Sequence, residues 1–141
     1  MNREIKFRAW DESQNYMAYQ GTPDLETIQS FIHHFGDKIL MQFTGLLDCD
    51  GKEIYEGDIL EGESYLYGYQ LNENKQFKYS GIVKFQTQCD VGLCWVVDDG
   101  GGSWNLKQTV HRNCIDYSTG KIVGNVFENP ELAGRFDYGC R

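Results

Sequence analysis

Four side chains in the second half of the chain are of the types that bind zinc. Cys89 and Cys94 are separated by four residues, and His111 and Cys114 by two. Thiolates and imidazoles can form a tetrahedral zinc centre, but this spacing is loose. Cys94 also precedes Trp95 in an apolar run, where a small buried thiol is ordinary. Whether the four residues meet in space is open, and we expect neither a bound metal nor another cofactor.

Carboxylates are dense in the middle of the chain, where they suggest a calcium loop. The residues concerned are Asp48, Asp50, Glu53, Glu56 and Asp58. They do not follow the EF-hand pattern, because the glycine stands at the wrong position relative to Asp48 and Asp50. We therefore expect these side chains to form turns and to face solvent.

Histidines and nucleophiles do not form a recognisable catalytic set. His33 and His34 are adjacent, and neighbouring side chains on a helix point about 100° apart, so the two do not face one site. Their place near the end of a predicted helix suits a charge partner for the helix dipole. Residues distant in sequence could still combine, such as Cys114 with His111 or with either of the adjacent histidines. We expect a protein without enzymatic activity.

Aromatic side chains at alternate positions are the first candidates for a binding surface. Tyr65, Tyr67 and Tyr69 share one face of a predicted hairpin, and Trp10 lies in the first predicted strand. Aromatic rings are enriched at protein interfaces, so these four residues are candidate interaction anchors. Stacking on nucleic-acid bases is the weaker alternative, because such sites normally include a positive groove and this segment carries glutamates.

The first strand also contains a candidate nucleic-acid patch. Residues 5–10 alternate strictly in type, which predicts one buried face and one face that presents Lys6, Arg8 and Trp10 to solvent. Two cations beside an indole could contact a phosphate and a base. This patch is the basis of an alternative function in nucleic-acid binding.

Composition limits these functions. The chain has 141 residues and a net charge of -8, from 21 acidic and 13 basic residues, which counts against a broad nucleic-acid footprint. No apolar stretch approaches the ~20 residues of a membrane span, and the five cysteines are an odd set without a secretion signal. We expect one domain over residues 1–141 in the cytoplasm, with reduced thiols.

The central stretch predicts the framework that positions these residues. Ile39, Met41 and Phe43 alternate as in a half-buried strand, and residues 48–51 combine aspartates with a glycine, which favours a tight turn into a second strand. Another turn is predicted at residues 56–58. With 16 glycines and 2 prolines, the chain favours short strands in a barrel or sandwich.

Two helical segments are predicted around this framework. Thr22 as N-cap and Pro23 at the first position begin a helix over about residues 23–35. Its apolar stripe consists of Leu25, Ile28, Ile32 and Phe35. Near the C-terminus, Lys121 to Phe127 predict the final strand, and Asn129 with Pro130 predicts a capped helical turn.

Four segments resemble the signature blocks of one family. They are residues 3–11 (REIKFRAWD), 41–46 (MQFTGL), 50–59 (DGKEIYEGDI) and 123–132 (VGNVFENPEL), in this order. They are similar to the blocks of the YopX-like family of phage and prophage proteins. The resemblance implies a mainly β domain with a small SH3-like barrel core, a bacterial host, and an origin on a mobile element. It brings no catalytic residues.

These observations together predict a mainly β fold with an SH3-like barrel core, added hairpins and one N-terminal helix. The predicted function is that of a phage-derived, non-catalytic protein-binding or assembly module, which associates with itself and with a phage or host protein. The alternative is a nucleic-acid-binding accessory factor in phage replication or gene regulation.

Overall fold

The structure, a computed structural model, describes residues 5–20, 28–35, 38–66, 75–88, 92–100, 103–107, 114–116 and 120–136. The strands are β1 (Phe7–Asp11), β2 (Tyr16–Tyr19), β3 (Ile39–Leu47), β4 (Glu53–Tyr55), β5 (Asp58–Leu66), β6 (Lys75–Gln88), β7 (Gly92–Asp98), β8 (Ser103–Lys107), β9 (Cys114–Asp116) and β10 (Lys121–Asn125). The helices are α1 (Ile28–Phe35) and α2 (Pro130–Ala133), with a 3-10 turn at Gly134–Phe136.

The strands form two sheets. The smaller has the order β2-β1-β3-β4, and the larger has the order β10-β5-β6-β7-β8-β9. Every described strand pair is antiparallel except β8 with β9, which is parallel. One sheet curls into half a barrel. The prediction of a mainly β fold is confirmed. Within the part of the chain that the structure describes, no helix is long and apolar enough to cross a membrane.

The predicted strand, turn and strand at the centre are confirmed as β3, the turn at residues 48–52, and β4. Asp48 holds the turn, because its Oδ1 accepts hydrogen bonds of 2.9 Å from the backbone N–H groups of both Asp50 and Lys52. Gly51 has a φ of 81°, which is the left-handed conformation that glycine adopts without strain. Local turn chemistry therefore fixes this hairpin.

The second predicted turn, at residues 56–58, joins the two sheets. Gly57 has a φ of 90°, and a Cβ added there would lie 3.1 Å from Met41 Sδ. The Gly57 N–H donates to the Val83 carbonyl at 2.9 Å, and its carbonyl accepts from Val126 N–H at 3.0 Å. A side chain would crowd this junction, so glycine serves both the turn and the close approach.

Helix α1 covers one face of the smaller sheet. Phe31 is fully buried against Ala9 and Ala18, where two small side chains leave room for a ring. The predicted stripe placed Ile32 in the core, and this is wrong, because Ile32 is exposed and Phe31 takes the buried position. The predicted start of the helix falls within residues 21–27, outside the described residues.

The opposite face of the smaller sheet is buried as well. Trp10, Met17 and Met41 form a core cluster, and the Trp10 ring stacks on Phe127 with centroids 5.7 Å apart. The prediction that Trp10 points to solvent is wrong, since only 5% of it is exposed. Strict alternation identifies two faces of β1, but here each face is covered by a different part of the chain.

The helix predicted after β10 is present, but the side chain predicted to cap it has another role. Pro130 begins α2, as predicted, and Asn129 occupies the N-cap position. Its side chain makes no capping hydrogen bond to α2. Instead, Asn129 Oδ1 accepts from the Asn125 N–H at 3.2 Å, beside a register shift between Ile122 and Gly124. Asn129 therefore closes the end of β10 rather than the start of α2.

Candidate functional site

A groove with a volume of about 690 Å³ separates the smaller sheet from strand β10, the edge strand of the larger sheet. It is lined by Arg8, Tyr19, Lys52, Glu53, Tyr55, Asp58, Ile122, Val123, Gly124, Asn125, Glu128 and Asn129. This volume is within the range typical of ligand pockets. We call this feature the groove.

A buried ion pair forms the floor of the groove. Arg8 Nη1 lies 2.9 Å from Asp58 Oδ1, and the two side chains are 2% and 3% exposed. Arg8 Nη2 donates to the Glu56 carbonyl at 3.0 Å, while Asp58 Oδ2 accepts from the Tyr55 N–H at 2.7 Å. These hydrogen bonds fix both side chains, and the opposite charges neutralise each other.

Burial dominates the electrostatics of this pair. It raises the pKa of Asp58 above its usual range, and the adjacent Arg8 only partly opposes this effect. The guanidinium carbon of Arg8 lies 4.9 Å from the centroid of the Tyr55 ring, which is a cation–π distance. Arg8 Nε is buried without a hydrogen-bond acceptor. The two side chains of the floor are therefore held in place by their hydrogen bonds, and their charges cancel. Arg8 Nε is the one nitrogen of the guanidinium that remains unused.

Two tyrosine rings form the wall above this floor. Tyr55 is buried, and burial raises its pKa, with a further rise from the Glu53 carboxylate, whose Oε1 lies 3.4 Å from the tyrosine hydroxyl. Tyr19 meets the Tyr55 ring edge-on, with centroids 5.7 Å apart and planes at 76°. Tyr19 itself is 54% exposed. The wall therefore presents one open ring, supported by a buried ring.

The facing wall is β10 with the loop that follows it. Asn125 is buried, and its Oδ1 accepts from the N–H groups of Phe127 and Glu128 at 3.0 and 2.8 Å. Its Nδ2 donates to Glu128 Oε1 at 2.7 Å. Asn125 thus positions the exposed Glu128 carboxylate at the end of the groove that lies beyond the last residue of β10.

The central turn closes the other end of β10. Asp48 Oδ2 accepts from the Ile122 N–H at 3.1 Å, and the Cys49 N–H donates to the Gly120 carbonyl at 2.8 Å. Lys52 belongs to the same turn. The groove consequently runs along β10 from Lys52 at its beginning to Glu128 beyond its end.

The solvent-facing patch predicted from Lys6, Arg8 and Trp10 does not form. Arg8 is 2% exposed and paired with Asp58, and Trp10 is buried in the core of the smaller sheet. Lys6 forms an ion pair with Glu53 and lies over the Phe43 ring, 5.2 Å from its centroid. The alternation in β1 correctly grouped these side chains on one face, but that face packs against the rest of the protein.

The tyrosine anchors lie at the edge of the described residues. Tyr65 belongs to β5 and pairs with Gln76, so the predicted hairpin of β5 and β6 exists in the backbone. The side chain of Tyr65, together with Tyr67 and Tyr69, lies outside the described part. The role predicted for these three rings stays a prediction.

The zinc candidates also fall largely outside the described residues. Cys94 and Cys114 belong to β7 and β9, while Cys89 and His111 are not described. No group of three or more metal-ligating side chains occurs among the residues that the structure describes. The acidic cluster is now assigned in part. Asp48 forms the central turn as predicted, but Asp48 and Asp58 are both buried rather than solvated, and Asp58 is ion-paired.

Sequence reasoning missed the residues that define the groove. Tyr55, Asn125 and Glu128 lie within residues 50–59 and 123–132, two of the segments quoted above, but nothing in those segments marks them as lining a groove, and Tyr19 lies in none of the four. A local signal was the Glu-Gly-Asp turn, whose aspartate is the first residue of strand β5 and is buried. The groove offers a ligand the exposed ring of Tyr19, the edge of strand β10, and one charged side chain at each end, Lys52 and Glu128.

Comparisons with known proteins place this chain in a family. The chain matches none of the curated proteins. Among solved structures it is similar to protein EF1440 from Enterococcus faecalis, with 22% identity over 94% of this chain and 99% of that chain, and a TM-score of 0.46. The family model described as YopX protein matches residues 6–133. Since this match spans most of the sequence, the chain belongs to the YopX protein family.

Proposed function

We propose that this protein is a non-catalytic protein-binding or assembly module, and that the groove is its binding site. The observation that carries the proposal is the Tyr19 ring, which is 54% exposed at the wall of the groove and rests edge-on against buried Tyr55. An aromatic side chain held on a strand over a closed floor loses little conformational freedom on binding. Such rings commonly anchor protein interfaces.

The proposal includes the finer fold and the setting suggested by the family resemblance. These are an SH3-like barrel core with added hairpins and one N-terminal helix over about residues 23–35, in a phage-derived protein of the bacterial cytoplasm. The curled sheet and the junction of the two sheets at Gly57 support the proposal of a barrel. Small barrels bind partners through one sheet face and the adjoining loops.

Self-association is also part of the proposal. Several large apolar side chains outside the groove are exposed, which suits a contact between two copies. They are Ile5, Ile32, Ile39, Leu47 and Phe85. Sedimentation equilibrium over a range of protein concentrations tests this part, and a monomer throughout would remove it.

Nucleic-acid binding is the weaker candidate. The cations on which it relied are engaged, Arg8 with Asp58 and Lys6 with Glu53. The ring meant to stack on a base, Trp10, is buried. We therefore keep nucleic acid as an outcome of the test rather than as a second proposal.

The test is an affinity capture from the bacterial host with tagged protein, with and without nuclease. Tyr19→Ala removes the open ring of the groove, and Tyr16→Ala is the matched control. Tyr16 lies on the same strand, is 56% exposed, and does not line the groove.

A nuclease-resistant protein that Tyr16→Ala retains and Tyr19→Ala loses is the expected result. Equal retention by both variants would show that the groove is not the binding site. Recovery of nucleic acid, or of proteins lost after nuclease treatment, would replace the proposal with the nucleic-acid alternative.

A further inference from the structure

The groove contains one carboxylate, that of Glu128, which pairs with no cation among the residues that the structure describes. Glu128 is exposed at the end of β10, and the hydrogen-bond partner of its carboxylate is the neutral amide of Asn125. In contrast, Arg8, the cation in the floor of the groove, has a carboxylate partner in Asp58. Negative charge at this end is therefore available to a ligand.

The open ring of Tyr19 lies at the same end. Tyr19 is the register partner of Arg8 in the smaller sheet, and Arg8 is ion-paired with Asp58. Asp58 is in turn the register partner of Asn125, which holds Glu128. These neighbour relations bring Tyr19 and Glu128 to the same part of the groove, which both residues line.

The exposed cation of the groove is remote from this end. Lys52 belongs to the turn that contacts the beginning of β10, through the hydrogen bonds of Asp48 and Cys49. The five residues of β10 separate it from Glu128, which corresponds to roughly 16 Å of extended chain. Lys52 therefore does not neutralise the site formed by Tyr19 and Glu128.

We propose that the end of the groove formed by Tyr19 and Glu128 binds a lysine or arginine side chain presented by an extended segment of a partner protein. This inference rests on the proposed protein-binding function and adds the chemistry of the partner. A cation would approach the Tyr19 ring and pair with the Glu128 carboxylate in the same position. The protein's net charge of -8 favours the approach of a basic segment.

The same geometry argues against an anionic side chain at this end. An anion would meet the Glu128 carboxylate, while the guanidinium of Arg8 is buried beneath Tyr55 and already neutralised. The length of the groove along β10 suits a stretch of extended chain more than a compact ion.

The experiment uses the full chain labelled with 15N and two probes of nearly equal shape. N-acetyl-arginine N-methylamide carries the cation, and the corresponding citrulline derivative replaces it with a neutral urea group. We expect saturable shifts of the Gly124, Asn125 and Glu128 amide signals with the arginine probe. Affinity for the citrulline probe is expected to be lower by about three- to tenfold, because both the ion pair and the cation–π contact are lost.

Variants locate the effect. Glu128→Gln removes the charge but keeps an oxygen that can accept from the Asn125 amide, so we expect it to reduce the preference for arginine over citrulline to the part that the Tyr19 ring supplies. Glu131→Gln, an exposed carboxylate on α2 that does not line the groove, is the control and retains the preference. Glu128→Gln is also checked for unchanged shifts in the sheets, which shows that it folds.

The outcomes separate this inference from the function on which it rests. Equal affinity for both probes, shifts away from the groove, or no binding of either probe would overturn the cation site. An equal reduction of the preference in Glu131→Gln would show an effect of overall charge and would also overturn it. The comparison of Tyr19→Ala with Tyr16→Ala in affinity capture decides the protein-binding function independently.

Discussion

Removing one member of the buried Arg8–Asp58 pair is expected to cost far more stability than removing both. Arg8→Met leaves the Asp58 carboxylate in a site where 3% of it is exposed, and Asp58→Asn leaves an unpaired guanidinium. Each single variant should lower the free energy of unfolding by about 3–5 kcal/mol at neutral pH. That is a large part of the roughly 5–15 kcal/mol typical of a domain.

The double variant, Arg8→Met with Asp58→Asn, should recover much of this loss, because no buried charge remains. The introduced asparagine side chain would also keep an oxygen for the Tyr55 N–H, which now donates to Asp58 at 2.7 Å. Urea unfolding followed by tryptophan fluorescence measures the four corners of this double-mutant cycle.

Lowering the pH gives the cycle a second readout. The pKa of Asp58 is raised by burial, so the folded state binds a proton in a pH range where the unfolded state does not. This contribution to stability is lost as the pH rises through the folded pKa and regained as it falls. Arg8 lowers the pKa of Asp58, so in Arg8→Met the pH range in which only the folded state binds this proton extends to higher pH.

As the pH falls through the range where Asp58 titrates, we therefore expect the free energy of unfolding of Arg8→Met to rise by up to about 1.4 kcal/mol per pH unit relative to that of the double variant. Single variants that each cost less than about 1 kcal/mol would refute the reasoning, since that is the scale of a solvated pair. A parallel pH dependence of Arg8→Met and the double variant would show that Asp58 is not the titrating group.

Three further predictions concern positions around the groove. The pKa of Tyr55 is raised by burial, so the unfolded state loses its phenolic proton first as the pH rises above about 10. The wild type should then lose stability that Tyr55→Phe retains, in urea unfolding across the alkaline range. Gly57→Ala should cost about 2–4 kcal/mol, from the positive φ and the crowding by Met41 Sδ. Gly45→Ala, which has a φ of 86° but open space around the added Cβ, should cost only about 1 kcal/mol in thermal unfolding. Asp48→Ala should cost about 2–4 kcal/mol, because three backbone N–H groups lose a charged acceptor. Amide hydrogen exchange should show faster exchange at the turn and at the start of β10, and unchanged exchange would contradict the role of Asp48.

Features set by neighbouring residues were predictable. The central hairpin follows from alternation in β3 and from Asp48 and Gly51 in its turn, all close together in the chain. The Gly57 turn has the same local origin, since only glycine adopts its backbone conformation without strain. The four segments that resemble the YopX-like family likewise identified the family from the sequence alone.

Side-chain burial was predicted less well, because an alternating pattern does not say what covers each face of a strand. In β1, helix α1 covers Ala9, while Phe127 and Tyr55 cover Trp10 and Arg8 on the other side. Both faces are consequently buried. A charged residue in such a strand requires a counter-ion inside the protein, and the pattern gives no sign of one.

The sequence by itself determined the β class, the two glycine turns and the family. Only the tertiary structure decided the groove, because each of its elements depends on contacts between distant residues. Arg8 and Asp58 are far apart in the chain, and Tyr19 and Glu128 line one groove only because strands of two sheets meet beside Gly57. Turn chemistry acts over a few residues, whereas burial and charge pairing depend on the whole packed chain.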